Sequence, residues 1–293
     1  MELTNLSTIR ALMAEAGVEF RKEFGQNFLI NPLIPERIAE AASPDEEAVI
    51  LEIGPGIGTL TQELCCRYAK VIAIEIDGGL IPILHKTMAE FDNFVLIHGD
   101  CMKLDLSAIL SEHAAGKRVS VCANLPYNIT TPVLMKLLEH GIDNPPLEKI
   151  VVMVQKEVAE RLCAPAGSPL YGAVTASASY YAKISRLFNV VSGNFMPRPK
   201  VDSAVICLEP YKKAPVDIRS HELFFKTIRG AFAQRRKTLS NSLSTEFSHL
   251  SKDTLTDVIT RCGFDANIRG EKLSIEDFAR LSNELFILSE KSN

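Results

Sequence analysis

Three glycines at alternate positions constrain this chain more than any other feature. They fall in Ile50-Leu51-Glu52-Ile53-Gly54-Pro55-Gly56-Ile57-Gly58-Thr59-Leu60-Thr61. An apolar run, Val49 to Leu51, ends at the acid Glu52, and a helical pattern of Leu60, Leu64 and Tyr68 follows the last glycine. The order reads as strand, tight turn, helix. Glycine allows positive φ and, lacking a Cβ, lets a ligand touch the backbone. The opening turn of the next helix adds free N–H groups. Such a turn suits a nucleotide-like ligand. A G-x-G-x-x-G spacing would indicate a dinucleotide with its pyrophosphate on the helix end. Here the spacing is G-x-G-x-G, and Thr59 stands where the last glycine would be. By itself the motif also fits an ordinary α/β turn, so the rest of the chain has to decide.

Strands and helices alternate after the loop. Val71–Asp77 and Phe94–Asp100 are apolar runs that end in acids, Val119–Asn124 ends in an amide, and Ile150–Val154 is a fifth run. Helical segments between them predict a doubly wound parallel sheet. In such sheets ligands bind beyond the carboxyl ends of the strands, here Glu52–Gly58, Glu75, Asp100 and Asn124. Residues 155–162 and 171–182 read as helices, and 186–191 with 203–208 as a closing pair of strands. Pro210 to Pro215 reads as a linker, and His221 to about Ser289 as helical. The expected domains are therefore residues 1–212, an α/β domain, and 213–293, a small helical domain. Ahead of the first strand, Phe20–Leu29 mixes basic and aromatic residues. It is either a capping segment over the core or a lid over the ligand.

The chain has 293 residues, 46% hydrophobic and 23% charged, with no apolar run near the roughly 18 residues of a membrane span. Glu2, Arg10 and Glu15 argue against a signal peptide. Seven scattered cysteines without a C-x-x-C pair argue against a disulfide framework and against a zinc site, so no metal is expected. A reducing cytoplasm fits best. Net charge is −4, but residues 1–195 carry −7 and residues 196–293 carry +3. A basic end on an acidic body allows a local nucleic-acid footprint.

The strand ends carry the chemistry. Glu75 lies 21 residues after Gly54, where a carboxylate can accept both hydroxyls of a ribose. Asp100, after Gly99, can accept from an adenine amine. The plainer alternative for each is a helix N-cap. Asn124-Leu125-Pro126-Tyr127 is the discriminating motif. The lone pair of an adenine N6 is delocalised into its ring. Acceptors on the N6 protons, the Asn124 side-chain oxygen and a backbone carbonyl beside Pro126, can turn the amine and free that pair. The Tyr127 ring can stack on a flipped base. A turn with a buried tyrosine is the plainer reading.

The glycine loop resembles the S-adenosylmethionine loop of class I (Rossmann-like) methyltransferases, whose cofactor has no phosphate. N-L-P-Y joins G-Q-N-F-L at residues 25–29, E-I-G-P-G-I-G, and Phe195-Met196-Pro197-Arg198-Pro199-Lys200-Val201-Asp202-Ser203. Q-K-E-V-A-E-R-L at 155–162 and Q-R-R-K-T-L at 234–239 complete the set. Together they resemble the KsgA/RsmA-type small-subunit rRNA adenine N6,N6-dimethyltransferases. The resemblance runs nearly end to end. It implies that Asn27, Leu29, Gly54, Gly56, Glu75, Asp100 and Asn124 contact S-adenosylmethionine, with S-adenosylhomocysteine as product. It implies two adjacent adenosines near the 3′ end of small-subunit rRNA as substrate, each dimethylated during ribosome biogenesis. Asn124, Leu125, Pro126, Tyr127 and Phe195 would then form the catalytic site. Phe195, in a proline-flanked loop, is the expected second stacking face opposite Tyr127. A monomer is expected.

Residues 226–243 read as one helix. Ile228, Phe232, Leu239 and Leu243 share a face, and Lys226, Arg229, Arg236 and Lys237 an adjoining one, with no acid between Phe224 and Thr245. Those four cations are the expected RNA-binding face. Arg235 points toward the apolar side and is expected in a salt bridge between elements. Three rivals remain open: the related macrolide-resistance methyltransferase of large-subunit rRNA, a ribosome-assembly factor that binds RNA without turnover, and a nicotinamide dehydrogenase. N-L-P-Y rather than N-I-P-Y disfavours the first. The intact Asn124 and glycine loop disfavour the second, and the missing third glycine of the dinucleotide fingerprint the third.

Overall fold

The computed structural model describes residues 1–18, 26–42, 45–114, 116–143 and 147–292. Phe20 to Gly25, part of the segment read as cap or lid, lie outside the described residues. The chain forms two compact units, Met1–Ala159 with Lys183–Lys212, and Glu160–Ala182 with Lys213–Asn293. The sequence places residues 160–182 in the first domain; in the structure they pack within the second unit.

In chain order the elements are α1 (Leu6–Glu15), β1 (Phe28–Leu29), α2 (Leu33–Ala41), β2 (Asp45–Ile53), α3 (Thr59–Cys65), β3 (Tyr68–Glu75), α4 (Ile81–Thr87), β4 (Phe94–His98), α5 (Leu106–Ala114) and β5 (Val119–Asn124). There follow α6 (Thr130–Asp143), β6 (Leu147–Gln155), α7 (Lys156–Leu162), α8 (Ala173–Tyr181), β7 (Ala182–Val190), β8 (Phe195–Met196) and β9 (Ser203–Pro210). The last helices are α9 (His221–Phe232), α10 (Leu239–Leu243), α11 (Lys252–Arg261) and α12 (Ile275–Ser292).

Seven strands form one sheet in the order β4-β3-β2-β5-β6-β9-β7. Strands β2 to β6 are parallel. The reason is visible in their composition: Val49–Leu51, Val71–Ala73, Val121–Ala123 and Ile150–Val154 are fully buried, and strands covered on both faces are apolar throughout rather than alternating. The closing pair is β9, antiparallel to β6, with β7 beside it at the edge. A separate ribbon pairs Leu29 of β1 with Phe195 of β8. The strand order reverses between β2 and β5, and at such a switch point the loops leaving two neighbouring strands diverge and open a crevice. The glycine loop leaves β2 at that place.

The second unit is helical, with Phe224, Ile228, Leu243, Val258, Phe278 and Leu281 in its core. The single helix expected over residues 226–243 is instead α9 and α10, with residues 233–238 a turn between them. The Ser242 hydroxyl explains the break. It donates to the α9 carbonyls of Gly230 (2.7 Å) and Ala231 (3.1 Å) and accepts from the Gln234 N–H (2.9 Å). Leu239 N–H then donates to the Ile268 carbonyl rather than to the preceding helical turn. Groups that would have continued the helix have other partners, so propensity and periodicity lose to tertiary hydrogen bonds. Arg235 behaves as its apolar-side position predicts. Its Nη2 donates to the carbonyls of Pro169 (2.6 Å) and Tyr171 (3.0 Å) and lies 3.9 Å from Glu271 Oε2.

Candidate active site

The glycine loop is held open by its backbone. Gly54 has φ +70° and Gly58, which precedes α3, has φ +95°. At Gly58 an added Cβ would sit 2.6 Å from the movable Met88 Cε and 3.2 Å from Thr87 Oγ1, so it is chiefly the backbone conformation that requires glycine. At Gly54 a Cβ would meet nothing within 4 Å, because that side faces a pocket. The Thr87 hydroxyl fastens the loop from behind by donating to the Ile57 carbonyl (3.0 Å).

The pocket gathers the residues that the sequence singles out. Asn27, Leu29, Gly54, Gly56, Glu75, Asp100, Asn124 and Pro126 all line it. Glu75 is 4% exposed. Its Oε2 accepts from Gly56 N–H (3.1 Å) and its Oε1 from Asp77 N–H (2.9 Å). Burial raises its pKa above the ordinary carboxylate value. The two N–H donors oppose that shift and the Asp77 charge adds to it. Asp77 is itself buried and accepts from Gln26 Nε2 (2.7 Å). Asp100 caps no helix; its Oδ1 accepts from Met102 N–H (2.9 Å) in the loop after β4.

Glu52 is the residue whose situation the sequence does not reveal. It is 1% exposed, and its Oε2 has no hydrogen-bond partner among the described residues. Burial pushes its pKa up to about 8, with the Glu75 charge adding and the nearby Thr61 hydroxyl partly offsetting. Three carboxyl groups therefore line the pocket, Glu52, Glu75 and Asp100, and among the described residues no lysine or arginine does. Among the described residues nothing in that lining offers a positive charge to phosphate, and buried carboxyls that ionise beside a positive charge suit a cationic ligand.

At the end of β5, Asn124 Nδ2 donates to the Asn27 carbonyl (3.1 Å). That bond commits the amide nitrogen and leaves Oδ1 as the group turned to other partners. Leu125 buries its side chain in the core and donates its N–H to the Met153 carbonyl (3.2 Å), so only its own carbonyl is left for the site. The Pro126 carbonyl accepts from Ile129 N–H (3.2 Å) and the Thr130 hydroxyl (3.0 Å). Tyr127 is half-buried, and its hydroxyl is 2.7 Å from the buried Ser203 hydroxyl. Burial raises the phenol's pKa, Ser203 offsets this and Asp202 adds to it. Ser203 as the anchor of Tyr127 was not read from the sequence, although both lie in motifs that were.

Phe195 sits deeper than its proline-flanked loop suggests. Expected as a second stacking face, it is 3% exposed and packed in the hydrophobic cluster that holds Leu29, Val190 and Val205. Its pairing with Leu29 in the β1–β8 ribbon draws the ring inward despite the flanking prolines. The four expected RNA-binding cations also divide. Lys226 and Arg229 are on α9, with Lys226 Nζ 5.0 Å from the Phe247 ring centroid, whereas Arg236 and Lys237 are exposed in the turn after it. Among the described residues no cluster of three or more His, Cys, Asp or Glu could hold a metal, and no helix is long and apolar enough to cross a membrane.

A sequence model for the family described as ribosomal RNA adenine dimethylase matches residues 17–286. This chain belongs to that family. It is 46% identical over 275 residues to the ribosomal RNA small subunit methyltransferase A of Lachnoclostridium phytofermentans, covering 93% of this chain and 92% of that one. The protein of the same name from Bacillus mycoides is 43% identical over 279 residues, 94% of each. Among solved structures, a dimethyladenosine transferase from Plasmodium falciparum superposes with a TM-score of 0.75 at 28% identity, over 90% of this chain and 98% of that one. The 23S rRNA methyltransferase ErmE, at 22% identity and a TM-score of 0.67 over 89% of this chain and 100% of that one, shares the fold. The rRNA adenine dimethylases use S-adenosylmethionine, and the acid-lined pocket fits it. When bound, the cofactor supplies an electrophilic methyl group on a positively charged sulfur.

Glu52 generates a test. Its folded pKa of about 8 lies above its ordinary value of 4.5. A raised carboxyl contributes stability that is fully present below the ordinary value and is lost as pH rises through the folded one. The stability of the ligand-free protein should therefore fall between about pH 4.5 and 8. Glu52→Gln should flatten that decline, read from urea midpoints across the range. Identical pH profiles for the two proteins would show that Glu52 is ionised in the folded state.

Proposed function

We propose that the protein transfers methyl groups from S-adenosylmethionine to N6 of adenosines in small-subunit ribosomal RNA, giving N6,N6-dimethyladenosine. The observation that carries this is the Asn124 amide, oriented by Asn27 at the edge of an acid-lined cofactor pocket. Glu75 receives the two ribose hydroxyls, and Asp100 the adenine amine of the cofactor. Gly54 and Gly56 let the cofactor lie against the backbone, with Leu29 packing beside it. Asn124 Oδ1 accepts one proton of the target N6. The Pro126 carbonyl is already engaged twice, so the Leu125 carbonyl is the second acceptor. Together they turn the amine so that its lone pair faces the methyl donor. No strong base is needed, because the N6 proton becomes acidic once the methyl group has arrived.

Tyr127, anchored by Ser203, offers the stacking face for the flipped base. The finer readings follow from the resemblance: two adjacent adenosines near the 3′ end, action during ribosome biogenesis, a monomer without a metal, a cytoplasmic location. The names of the relatives specify the small subunit, which favours this over action on large-subunit RNA. The helical unit supplies RNA contacts through Lys226 and Arg229 on α9 and through Arg236 and Lys237 in the turn.

Two experiments test these roles. Asn124→Ala should fold and bind RNA, yet lose about 10²–10³ in rate, the usual cost of removing a preorganised acceptor that acts in the transition state. Tyr127→Ala should instead weaken base capture by about 1–3 kcal/mol. Saturating RNA in single-turnover assays should partly restore Tyr127→Ala and leave Asn124→Ala slow; an Asn124→Ala enzyme near the normal rate would mean the amine is activated elsewhere. Reversing Arg236 and Lys237 to glutamate should weaken RNA binding and lower its salt slope by roughly one per lost phosphate contact. If affinity and slope both survive, the turn does not hold RNA.

A further inference from the structure

The loop after β4 contains an arrangement that the mechanism above does not use. Lys136, on α6, sends its ammonium to three backbone carbonyls of that loop: Cys101 (2.8 Å), Met102 (2.9 Å) and Leu104 (2.8 Å). An ammonium has three donors, and here all three go to one four-residue stretch. No carboxylate pairs with Lys136 among the ion pairs of the described residues. Its work is therefore to shape backbone rather than to neutralise charge. Three carbonyl dipoles aimed at one point repel each other, and a cation at that point is what makes the arrangement stable.

From the other side the loop closes on Asp100. Its Oδ1 accepts from Met102 N–H (2.9 Å) and its carbonyl from Lys103 N–H (2.9 Å) and Leu104 N–H (3.0 Å). Gly99, Asp100 and Cys101 are the pocket-lining residues of this loop. The Met102 amide thus helps direct the Asp100 carboxylate, whose Oδ2 lies 3.8 Å from the exposed Lys103 ammonium, and the peptide groups around that amide are held by Lys136. The helix α6 follows the Asn124–Tyr127 motif directly, and Thr130 at its start donates to the Pro126 carbonyl (3.0 Å). Lys136 therefore ties the wall that carries the target-base motif to the wall that carries Asp100.

We propose that Lys136 is a positioning residue for recognition of the cofactor's adenine, holding the loop in the one conformation in which Asp100 can accept from the adenine amine. This rests on the assignment of Asp100 to that amine. A lysine that merely stabilised the fold would affect every ligand alike, whereas a positioning lysine affects the choice of base. The probes are S-adenosylhomocysteine and S-inosylhomocysteine. The second carries a carbonyl at position 6 and an N–H at position 1, which reverses the donor and acceptor pattern of adenine.

Calorimetry on the full chain should show that the wild type prefers the adenosyl compound. Lys136→Met, which keeps the stem and removes the donors, should weaken binding of the adenosyl compound by about tenfold, the worth of one charge-assisted hydrogen bond. It should leave the inosyl compound almost unaffected, so that the preference collapses. Lys136→Arg, which keeps charge and donors, should recover part of it. A Lys136→Met protein with the wild-type preference overturns the proposal, whatever its unfolding midpoint. Should Lys136→Met not fold, Lys136→Gln decides in its place: a reduced preference supports the proposal and a full one overturns it. Asp100→Ala separates the two levels of the argument. If it loses the preference while Lys136→Met keeps it, only the role of Lys136 fails. If Asp100→Ala also keeps the preference, the adenine is recognised elsewhere and both readings fail.

Discussion

The hydrogen bonds from Gly56 and Asp77 to the buried Glu75 carboxylate are the point on which the site depends. They join the loop leaving β2 to the end of β3. The ladder beneath them continues in the same sense, with Gly54 N–H on the Ile74 carbonyl (2.9 Å) and Gly99 N–H on the Glu75 carbonyl (2.8 Å). The ends of β2, β3 and β4 are thereby tied to one another. The arrangement has a cost, since burial raises the pKa of both Glu52 and Glu75 and the Glu75 charge raises that of Glu52 further. A protein seeking stability alone would not keep two such carboxyl groups at a switch point. A cationic cofactor is the partner that makes them useful.

Asn124 shows how little the chemistry then requires. The amide needs only to be turned the right way, and the Asn27 carbonyl turns it by taking its N–H. Asn27 lies next to β1, which pairs with β8, so the segment ahead of the first long strand and the proline-rich loop near the end of the α/β unit both help set one side chain. Tyr127 is set in a comparable way by Ser203 on β9. The proposed acceptor and stacking face are thus held by contacts distant in the chain, which is the usual means of keeping a site within fractions of an ångström.

Much of this was legible in the sequence because the signals were physical and local. Fully apolar strand runs announce a sheet buried on both sides, and glycines at positions 54, 56 and 58 announce a turn that no other residue can make. The failures share a cause. The apolar period of residues 226–243 continues through the turn, and only the Ser242 hydroxyl, folded back from α10, ends α9. The prolines around Phe195 suggested an exposed loop, yet strand pairing with Leu29 buries the ring. Glu52 looked like the end of a strand, and its isolation is a matter of what surrounds it. Lys136 resembled any lysine on an amphipathic helix, and its three carbonyl partners lie 32 to 35 residues earlier.

The account stands or falls on the modified base. Small-subunit and large-subunit RNA from cells lacking this activity would be incubated separately with the protein and S-adenosylmethionine, digested to nucleosides and analysed by mass spectrometry. The account predicts N6,N6-dimethyladenosine in the small-subunit RNA, or in the small-subunit particle, and none in the large-subunit RNA. Dimethyladenosine confined to the large-subunit RNA, or methylation of a base other than adenine, would contradict it.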